Sequence, residues 1–543
     1  MPLSFSRRHG DPSRPWNRFS IDIKDDKNNK LLNYQGNWRD IFQNWEALAE
    51  SFPGYIESMI TKFLNGSTAD GYNPYRVTKD GFDWEAPEPD QPWANIGYWG
   101  DHQIVYLLKL LEISYNHDSK KLGELINQDI FAYVNVPYRI KKYEELLRDP
   151  HNTVDFDHEL NKKIEAEEKV IGSDARFITS KDGNLYQVNL VEKLLSPLLA
   201  KLSNFIPGGG IWMNTQRPEW NDANNALVGY GISMVTLYYL RRYVSFLVDL
   251  FSSQKDNKAQ ISQEVKVFFD NISEQLTVNE KNLESGITDE DRKSILDGLG
   301  IAGSKFKTKI YENGFSEEKD NIEISAIIDF LNTTQKYLDK TIEENKREDD
   351  LYHSYNLMSL QDNKLSIINL YEMLEGQVAV LSSGYLKTPD ALKLLESLRS
   401  SALYREDQNS YILYPNRELP HFIEKNIIPG EEFNASQIFK KFIDEDNRDI
   451  VLKDEQGNYH FNGEIRNANV LKSRLEKVRQ DSTNQITDED INKALQIYES
   501  VFNHKYFTGR SGTFFKYEGL GSIYWHMVSK LGACGTRDLL SSN

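Results

Sequence analysis

The stretch QRPEWNDANNALVG, residues 216–229, is a dense polar turn that leads into an apolar segment starting at Leu227. It contains an arginine, a proline, two carboxylates, a tryptophan and three asparagines. Asparagine and aspartate are disfavoured inside helices because their side chains compete for backbone hydrogen bonds. We therefore predict a loop at the mouth of a buried helix. Its tryptophan could stack on a pyranose ring while its amides and carboxylates bind hydroxyls, which is typical of a sugar site.

Outward from this turn, apolar residues recur mostly at helical spacing, and strand-like alternation is scarce. The predicted helices cover residues 45–64, 104–113, 190–205, 232–251, 365–381 and 391–403. Polar turns rich in aromatic residues separate several of them. We therefore predict a mainly α fold, a toroid of paired helices whose loops at one end form a binding face.

Charged stretches interrupt this pattern. Residues 252–350 are rich in Lys, Glu, Asp and Gln, and they predict a helical insertion packed outside the toroid. A glycine-containing turn at residues 181–184 predicts a short hairpin. A second turn is predicted at residues 454–463. A buried helix is predicted to end at Lys530 with no further element, so we expect the toroid to be incomplete at its C-terminal end. The predicted domains are an N-terminal extension (1–35), a first part of the barrel (36–251), the insertion (252–350), a second part of the barrel (351–530) and a tail (531–543).

The composition excludes several classes of protein. The 543 residues allow a few ordinary domains or one large domain with insertions. A net charge of −18 argues against nucleic acid or an anionic membrane as the main partner. The single cysteine, Cys534, excludes an intramolecular disulfide framework, and no apolar run has the length of a signal peptide or a membrane span. We expect a cytoplasmic protein.

The opening turn holds two candidates for a general acid, Glu219 and Asp222, beside Trp220. Cleavage of a glycosidic bond needs a carboxyl kept protonated near neutral pH, and repulsion between two carboxylates raises the pKa of one of them. The alternative is that Asp222 only caps the following helix. The glycines of residues 208–210 would let the backbone pass close to a ligand. The candidate sugar-binding residues of the turn are Arg217, Glu219, Trp220 and Asn221.

A second polar cluster lies near the N-terminus. Arg39, Asp40 and Gln43 supply donors and acceptors that could hold sugar hydroxyls at fixed positions. The alternative is structural, because Asp40 could cap a helix while Arg39 pairs with Glu46 on its surface. An aromatic loop follows at residues 69–103, with six tyrosines and tryptophans among Asp, Gly and Pro residues. Its last carboxylate, Asp101, is either a substrate-binding group or a helix cap.

The segment GRSGTFFKYEGLGSIYWH, residues 509–526, is the fourth candidate. Arg510, Lys516 and His526 could bind an anion, and Glu518 could act as a second carboxylate. The glycines lack the Lys-Ser/Thr pattern of a phosphate-binding P-loop. The histidines of the chain lack the spacing of a helical metal site, so we predict no catalytic metal.

With these residues identified, the chain resembles the cellobiose and chitobiose phosphorylase family of inverting glycoside-active enzymes, whose catalytic domain is an (α/α)6 barrel. Three blocks match in order over roughly the first 230 residues. Residues 37–43 look like the family's Arg-Asp-x-x-Gln segment, residues 69–108 are similar to its next loop, and residues 209–222 look like its Trp-Asn-Asp segment. The resemblance implies that Asp222 is the general acid, that Trp220 stacks on the sugar, and that Arg39 and Asp40 hold the sugar being cleaved.

The resemblance also implies a phosphate site. At some positions, however, this sequence differs from the family's pattern. Residues 512–526 are similar to the segment carrying a phosphate-binding histidine, which implies His526 in that role, near Arg510. Glu219 stands where the family commonly has aspartate, and Asn44 and Glu46 differ from its acidic pattern. The β-sandwich that usually precedes the barrel is not expected in the residues before Trp38.

The leading hypothesis is inverting cleavage of a β-linked di- or oligosaccharide by phosphorolysis, with Asp222 as the acid, inorganic phosphate as co-substrate and no cofactor. An inverting hydrolase that uses Glu518 or Asp101 as the base is a second possibility, because such an enzyme needs two carboxyls. A third is a non-catalytic carbohydrate-binding protein on a truncated or degenerate barrel, which the aromatic loops would serve equally well.

Overall fold

The described residues of the computed structural model are mostly helical, and the prediction of a mainly α protein is confirmed. The toroidal arrangement of the helices stays a prediction. The strands include a five-stranded antiparallel sheet that the sequence did not predict. The structure describes residues 24–30, 35–74, 76–84, 86–87, 103–214, 229–254, 257–361, 363–413, 415, 420–481, 486–502 and 525–540.

Contacts divide the chain into two units. Unit 1 is Met1–Pro415 with Glu518–Asn543, and unit 2 is Asn416–Tyr517. The domain boundaries predicted from the sequence stay a prediction.

The helices of unit 1 are α1 (Trp38–Ser51), α2 (Ile56–Asn65), α3 (Gln103–His117), α4 (Ser119–Leu125), α5 (Tyr143–Arg148), α6 (His158–Ile171), α7 (Leu190–Leu202), α8 (Met234–Ser252), α9 (Gln263–Asn279), α10 (Asn282–Ser285), α11 (Asp289–Asn313), α12 (Ile324–Glu344), α13 (Leu374–Ser382), α14 (Thr388–Ser400) and, near the chain end, Trp525–Leu540. The helices of unit 2 are α15 (Phe422–Lys425), α16 (Gly430–Ala435), α17 (Gln437–Asp444), α18 (Ala468–Asp481) and α19 (Asp488–Phe502). The helix Trp525–Leu540 is therefore α20.

The strands are short and pair antiparallel. They are β1 (Gln35–Asn37), β2 (Arg76–Thr78), β3 (Phe82–Asp83), β4 (Tyr138–Ile140), β5 (Val154–Phe156), β6 (Phe205–Ile206), β7 (Gly210–Trp212), β8 (Gly231–Ser233), β9 (Lys258–Ser262), β10 (Lys319–Glu323), β11 (Tyr355–Gln361), β12 (Lys364–Asn369), β13 (Tyr404–Arg405), β14 (Ser410–Tyr411), β15 (Val451–Lys453) and β16 (Tyr459–Phe461). The largest sheet has the order β12–β11–β8–β7–β6. The smaller sheets are β1–β2–β3, β4–β5, β9–β10, β13–β14 and β15–β16.

Two predicted helices are interrupted, each for a local reason. The helix predicted over residues 45–64 breaks after Ser51, and the 3-10 turn Pro53–Tyr55 separates α1 from α2, because proline has no N–H to continue the helical ladder. The first part of the helix predicted over residues 365–381 is strand β12 instead. That prediction was wrong because a short apolar run does not distinguish a buried strand from a buried helix.

The helix after the opening turn, α8, is mostly buried, as predicted, and α7 before the turn is buried throughout. Every residue of α7 is buried, including Glu192, Lys193 and Lys201. Helix α8 packs against α3, α12 and α13. An ion pair of Arg242 with Glu112 of α3, at 2.6 Å, adds to that packing. The scaffold that carries the turn is therefore built from buried elements of unit 1.

Residues 252–350 are helical, as predicted, and their helices have buried faces. Helix α11 packs against α9, α5 and α7, and α12 packs against α8. Two strands, β9 and β10, pair within this segment and were not predicted. The packing of α11 on α7 brings part of this segment next to the elements that lead to the opening turn.

Helix α20 continues to Leu540, beyond Lys530, where the sequence predicted its end. Glycines weaken helices, so Gly532 and Gly535 favoured the earlier end. Packing against α13 and α14 offsets this weakness, and Cys534 Sγ lies 2.9 Å from Ser382 Oγ of α13. Among the described residues, no helix is long and apolar enough to cross a membrane.

The hairpin predicted at residues 181–184 is confirmed, and the turn predicted at residues 454–463 connects two paired strands. The Ser180 N–H donates to the Asn184 carbonyl at 2.8 Å, and Gly183 between them has a φ of +84°. In unit 2, β15 and β16 pair on either side of a turn in which Gly457 has a φ of +93°. Glycine adopts positive φ at little cost, which is why these turns could be predicted locally.

Candidate functional site

Residues 215–228, which carry the predicted acid, lie outside the described residues, but the positions at both ends are described. Strands β7 and β8 pair antiparallel on either side of this segment. The Gly229 N–H donates to the Met213 carbonyl at 3.1 Å. The Trp212 Nε1–H donates to the Gly229 carbonyl at 2.7 Å. The segment therefore starts and ends at adjacent positions that are hydrogen-bonded to each other.

Asn204 connects one of these ends to the aromatic loop. Its Nδ2 donates to Tyr72 Oη at 3.0 Å, and its Oδ1 accepts from Asn214 Nδ2 at 2.6 Å. All three side chains are buried. Tyr72 belongs to the loop of residues 69–103, and Asn214 directly precedes residue 215. The structure thus brings together the bases of two predicted sugar-binding loops.

The aromatic loop begins with a tight turn at residues 68–72. Thr68 Oγ1 donates to one carboxylate oxygen of Asp70, and the Tyr311 hydroxyl of α11 donates to the other. Gly71 has a φ of +84°, and a Cβ at this position would lie 2.6 Å from the Ser196 carbonyl oxygen of α7. The turn is therefore held between two helices.

Lys307 of α11 is a second charged group near this turn. Its side chain is 8% exposed. Burial lowers the pKa of its amine to about 8, and the charge of Asp70 opposes that shift. Since an apolar setting disfavours the charged form, a protonated Lys307 costs free energy in the folded protein at neutral pH.

We expect Lys307→Met to stabilise the folded protein at neutral pH by on the order of 1–3 kcal/mol. Asp70 keeps its hydrogen bonds to Thr68 and Tyr311 in this variant. The gain should shrink as the pH rises from about 8 towards 10.5. In that interval only the unfolded lysine holds its proton, so the wild-type protein gains stability as the pH rises.

Urea unfolding midpoints near pH 7 and pH 10 measure this difference. Lys305→Met is the matched control, because Lys305 is an exposed residue of the same helix. A gain for Lys307→Met that is equal at both pH values would show that the buried charge is not its cause.

The glycines of residues 208–210 make the turn between β6 and β7, and protein atoms fill the space around them. A Cβ on Gly208 would lie 2.5 Å from a carboxylate oxygen of Glu344. A Cβ on Gly210 would lie 2.7 Å from the Ser233 carbonyl oxygen. The prediction that this backbone passes close to a ligand was wrong, because protein neighbours take up that space.

Helix α1 carries the first predicted block. Trp38 is buried among the rings of Phe42, Phe63 and Phe82, with centroids 4.8–5.7 Å away. Gln43 is half-buried one turn further along. The ring cluster fixes the start of α1, and therefore the backbone of the block.

Two structural alternatives were considered for predicted site residues, an ion pair between Arg39 and Glu46 and a helix cap formed by Asp222. Glu46 forms an ion pair with Lys109 of α3. The carboxylate of Glu46 therefore has a cationic partner other than Arg39. Helix α8 begins at Met234 and has Ser233 as its N-cap, with the hydroxyl accepting from the Thr236 N–H at 3.0 Å. Asp222 lies outside the described residues, so its alternative role as a helix cap stays a prediction.

Most of the predicted site residues lie outside the described part of the chain. These are Asp101, Arg217, Glu219, Trp220, Asn221, Asp222, Arg510 and Glu518. For Arg39 and Asp40 in α1 and His526 in α20, the helical backbone is described and the side chain is not. Their roles stay predictions. No group of three or more possible metal ligands occurs among the described residues, and the expectation of no catalytic metal also stays a prediction.

Sequence reasoning missed Asn204, Asn214 and Tyr311. A signal for Asn204 was present, since it lies within the helix predicted over residues 190–205 and a polar amide must find partners if it is buried. Asn214 lies two residues before the turn that was singled out. Tyr311 gave no signal because it lies in a charged stretch and meets Asp70 only through the packing of α11.

Unit 2 has its own hydrophobic core, formed by α16–α19 and the β15–β16 hairpin. A cavity of about 580 Å³ opens beside this hairpin. His460 lines it, with Nδ1 2.6 Å from the Asn426 carbonyl oxygen and Nε2 3.0 Å from Asp454 Oδ2. The hydrogen bond from His460 holds the pKa of Asp454 well below its usual value. Unit 2 is thus an independently packed helical module with a small hairpin.

Comparison with known families concerns this same module. Residues 419–505 match the family model described as GH149 phosphorylase insertion domain 2. The match supports a glycoside phosphorylase-like family for this chain. It spans nearly all of unit 2, Asn416–Tyr517. No curated protein matches the chain.

Proposed function

We propose that the protein is a glycoside phosphorylase that cleaves a β-glycosidic bond of a di- or oligosaccharide with inversion. The observation that carries this proposal is the match of residues 419–505 to an insertion domain of a phosphorylase family. The ordered blocks of residues 37–43, 69–108 and 209–222 support it independently, because they lie in unit 1. Their resemblance to the cellobiose and chitobiose phosphorylases is the reason to propose an (α/α)6 barrel and inversion.

In the proposed reaction, Asp222 gives its carboxyl proton to the glycosidic oxygen as the bond from that oxygen to the anomeric carbon breaks. An oxygen of inorganic phosphate attacks the same carbon from the opposite face and forms a sugar 1-phosphate of inverted configuration. The proton carried by the attacking phosphate restores the carboxyl. Atoms and charges therefore balance without a cofactor.

The other predicted site residues are proposed to bind either the sugar or the phosphate. Trp220 is proposed to stack on a pyranose ring. The groups proposed to hold sugar hydroxyls are Arg39, Asp40, Gln43, Asp101, Arg217, Glu219 and Asn221. Arg510 and His526 are proposed to bind phosphate, since charge-assisted hydrogen bonds to phosphate oxygens are strong.

Omitting phosphate is expected to reduce cleavage of the substrate to background, because phosphate is the nucleophile. The measurement is a screen of β-linked di- and oligosaccharides, with and without inorganic phosphate, that follows both sugar 1-phosphate and free reducing sugar. Proton NMR of the first product formed is expected to show the α-anomer, as inversion at a β-linked carbon requires.

Each result of the screen has a clear meaning. Release of reducing sugar at equal rates with and without phosphate would replace phosphorolysis by hydrolysis. That reaction needs a base carboxyl about 6.5–9.5 Å from the acid, with Glu518 and Asp101 as the candidates. Binding of glycans without any turnover would favour a non-catalytic carbohydrate-binding protein and contradict the proposal.

A further inference from the structure

We propose that Asp70, Tyr72, Asn204, Asn214 and Tyr311 form a loop brace that sets the aromatic loop in position relative to the segment carrying the acid. The inference rests on the proposed function. It makes Tyr72 and Asn204 positioning residues for the reaction, although neither is assigned any contact with substrate.

The centre of the loop brace is the amide of Asn204. Its Nδ2 has two hydrogens, which it gives to Tyr72 Oη at 3.0 Å and to the Ala200 carbonyl at 2.9 Å. Its Oδ1 accepts from Asn214 Nδ2 at 2.6 Å. Turning the amide over would place its NH₂ against the donor of Asn214, so the three bonds allow one orientation only.

The second anchor is the turn at residues 68–72. Within it, the Thr68 N–H donates to the Tyr72 carbonyl at 2.8 Å, and the Tyr72 N–H donates to Thr68 Oγ1 at 3.1 Å. Thr68 Oγ1 also donates to Asp70, whose second oxygen accepts from Tyr311 of α11. A shift of α11 or of the Asp70 carboxylate therefore moves the backbone of Tyr72.

The two ends of the loop brace are placed where a small shift has a large effect. Tyr72 is 3% exposed and stands at the start of the aromatic loop, while Asn214 is 2% exposed and directly precedes residues 215–228. Hydrogen bonds in such a buried setting are directional and strong. Since a 1 Å misplacement of reacting groups can cost about 100-fold in rate, relative placement of the two loops is a means of controlling turnover.

The test is Tyr72→Phe, which removes one hydroxyl and keeps the ring. We expect kcat/KM for the sugar to fall about 10-fold or more, with the KM for phosphate unchanged. Tyr337→Phe is the matched control, because the Tyr337 hydroxyl is also buried and donates to the Leu276 carbonyl of α9 at 2.8 Å, outside the loop brace. The control variant should lose a similar amount of thermal stability and none of its sugar kcat/KM.

A double-mutant cycle separates positioning from stability. If the loop brace acts as one unit, Tyr72→Phe combined with Asn214→Ala should reduce kcat/KM about as much as the worse single variant. Multiplicative losses from the two changes would overturn the proposal. Equal losses of kcat for Tyr72→Phe and Tyr337→Phe, with both KM values unchanged, would also overturn it, because partial unfolding alone produces that pattern.

Hydrogen exchange tests the loop brace even if the wild-type protein shows no turnover. Absence of turnover would contradict the proposed function and would not bear on the loop brace. The Met213 N–H donates to the Gly231 carbonyl at 2.9 Å, and the Gly229 N–H donates to Met213. Both amides are expected to exchange faster in Tyr72→Phe than in wild type or Tyr337→Phe. Unchanged exchange of both amides in Tyr72→Phe would show that Tyr72 does not restrain this end of the segment.

Discussion

Asp222→Asn is expected to lower kcat on an unactivated β-linked disaccharide by about 10²–10⁴-fold, the usual contribution of a general acid. Asparagine has nearly the size of aspartate but no acidic proton to give to the leaving oxygen. The affinity for the sugar should change little, since the amide still offers hydrogen bonds to hydroxyls. Initial rates at saturating phosphate measure the first effect, and calorimetric titration with the disaccharide measures the second.

An activated substrate distinguishes loss of the proton from loss of the site. A β-glycosyl fluoride leaves with little need for protonation, so Asp222→Asn should retain most of its phosphorolysis of the fluoride. Glu219→Gln makes the same chemical change beside it, and as a sugar-binding change it should affect both substrates alike. Full activity of Asp222→Asn on the disaccharide would remove Asp222 from the role of acid.

Gly71→Ala is expected to destabilise the protein by roughly 2–4 kcal/mol, a large effect for one methyl group. The residue has a φ of +84°, which is strained for alanine. The new Cβ would also lie 2.6 Å from the Ser196 carbonyl oxygen and 2.6 Å from Ala200 Cβ. Both contacts belong to α7, whose residues are all buried, so the helix cannot move aside cheaply.

Gly183→Ala is the matched control for this prediction. Gly183 also has a φ of +84°, but a Cβ there would meet nothing within 4 Å. It should therefore show the backbone strain alone, about 1 kcal/mol. Urea unfolding of the two variants measures the difference. Equal losses would mean that the aromatic loop is not held tightly against α7.

The candidate site residues could be proposed from the sequence because sugar chemistry demands particular side chains close together, and their roles stay predictions. The Trp220–Asn221–Asp222 cluster and the Arg39–Asp40 pair carry that signal without any tertiary information. The hydrogen bonds around Asn204 depend on tertiary contacts, because an asparagine becomes a positioning group only when burial removes its water. For the glycines of residues 208–210 the sequence signal was present but was wrongly assigned to a ligand, since protein atoms occupy that space.

The sequence alone determined the mainly helical class, because a period of 3.6 in the apolar residues is a local property of the chain. It also determined the hairpin at residues 181–184 and the turn within residues 454–463, where Gly183 and Gly457 adopt positive φ at little cost. Only the tertiary structure decided the five-stranded sheet, since β6, β7 and β8 have two or three residues each, too few to show alternation. The same holds for the loop brace. Tyr311 and Asp70 are 241 positions apart, and the packing of α11 alone brings the phenol to the carboxylate.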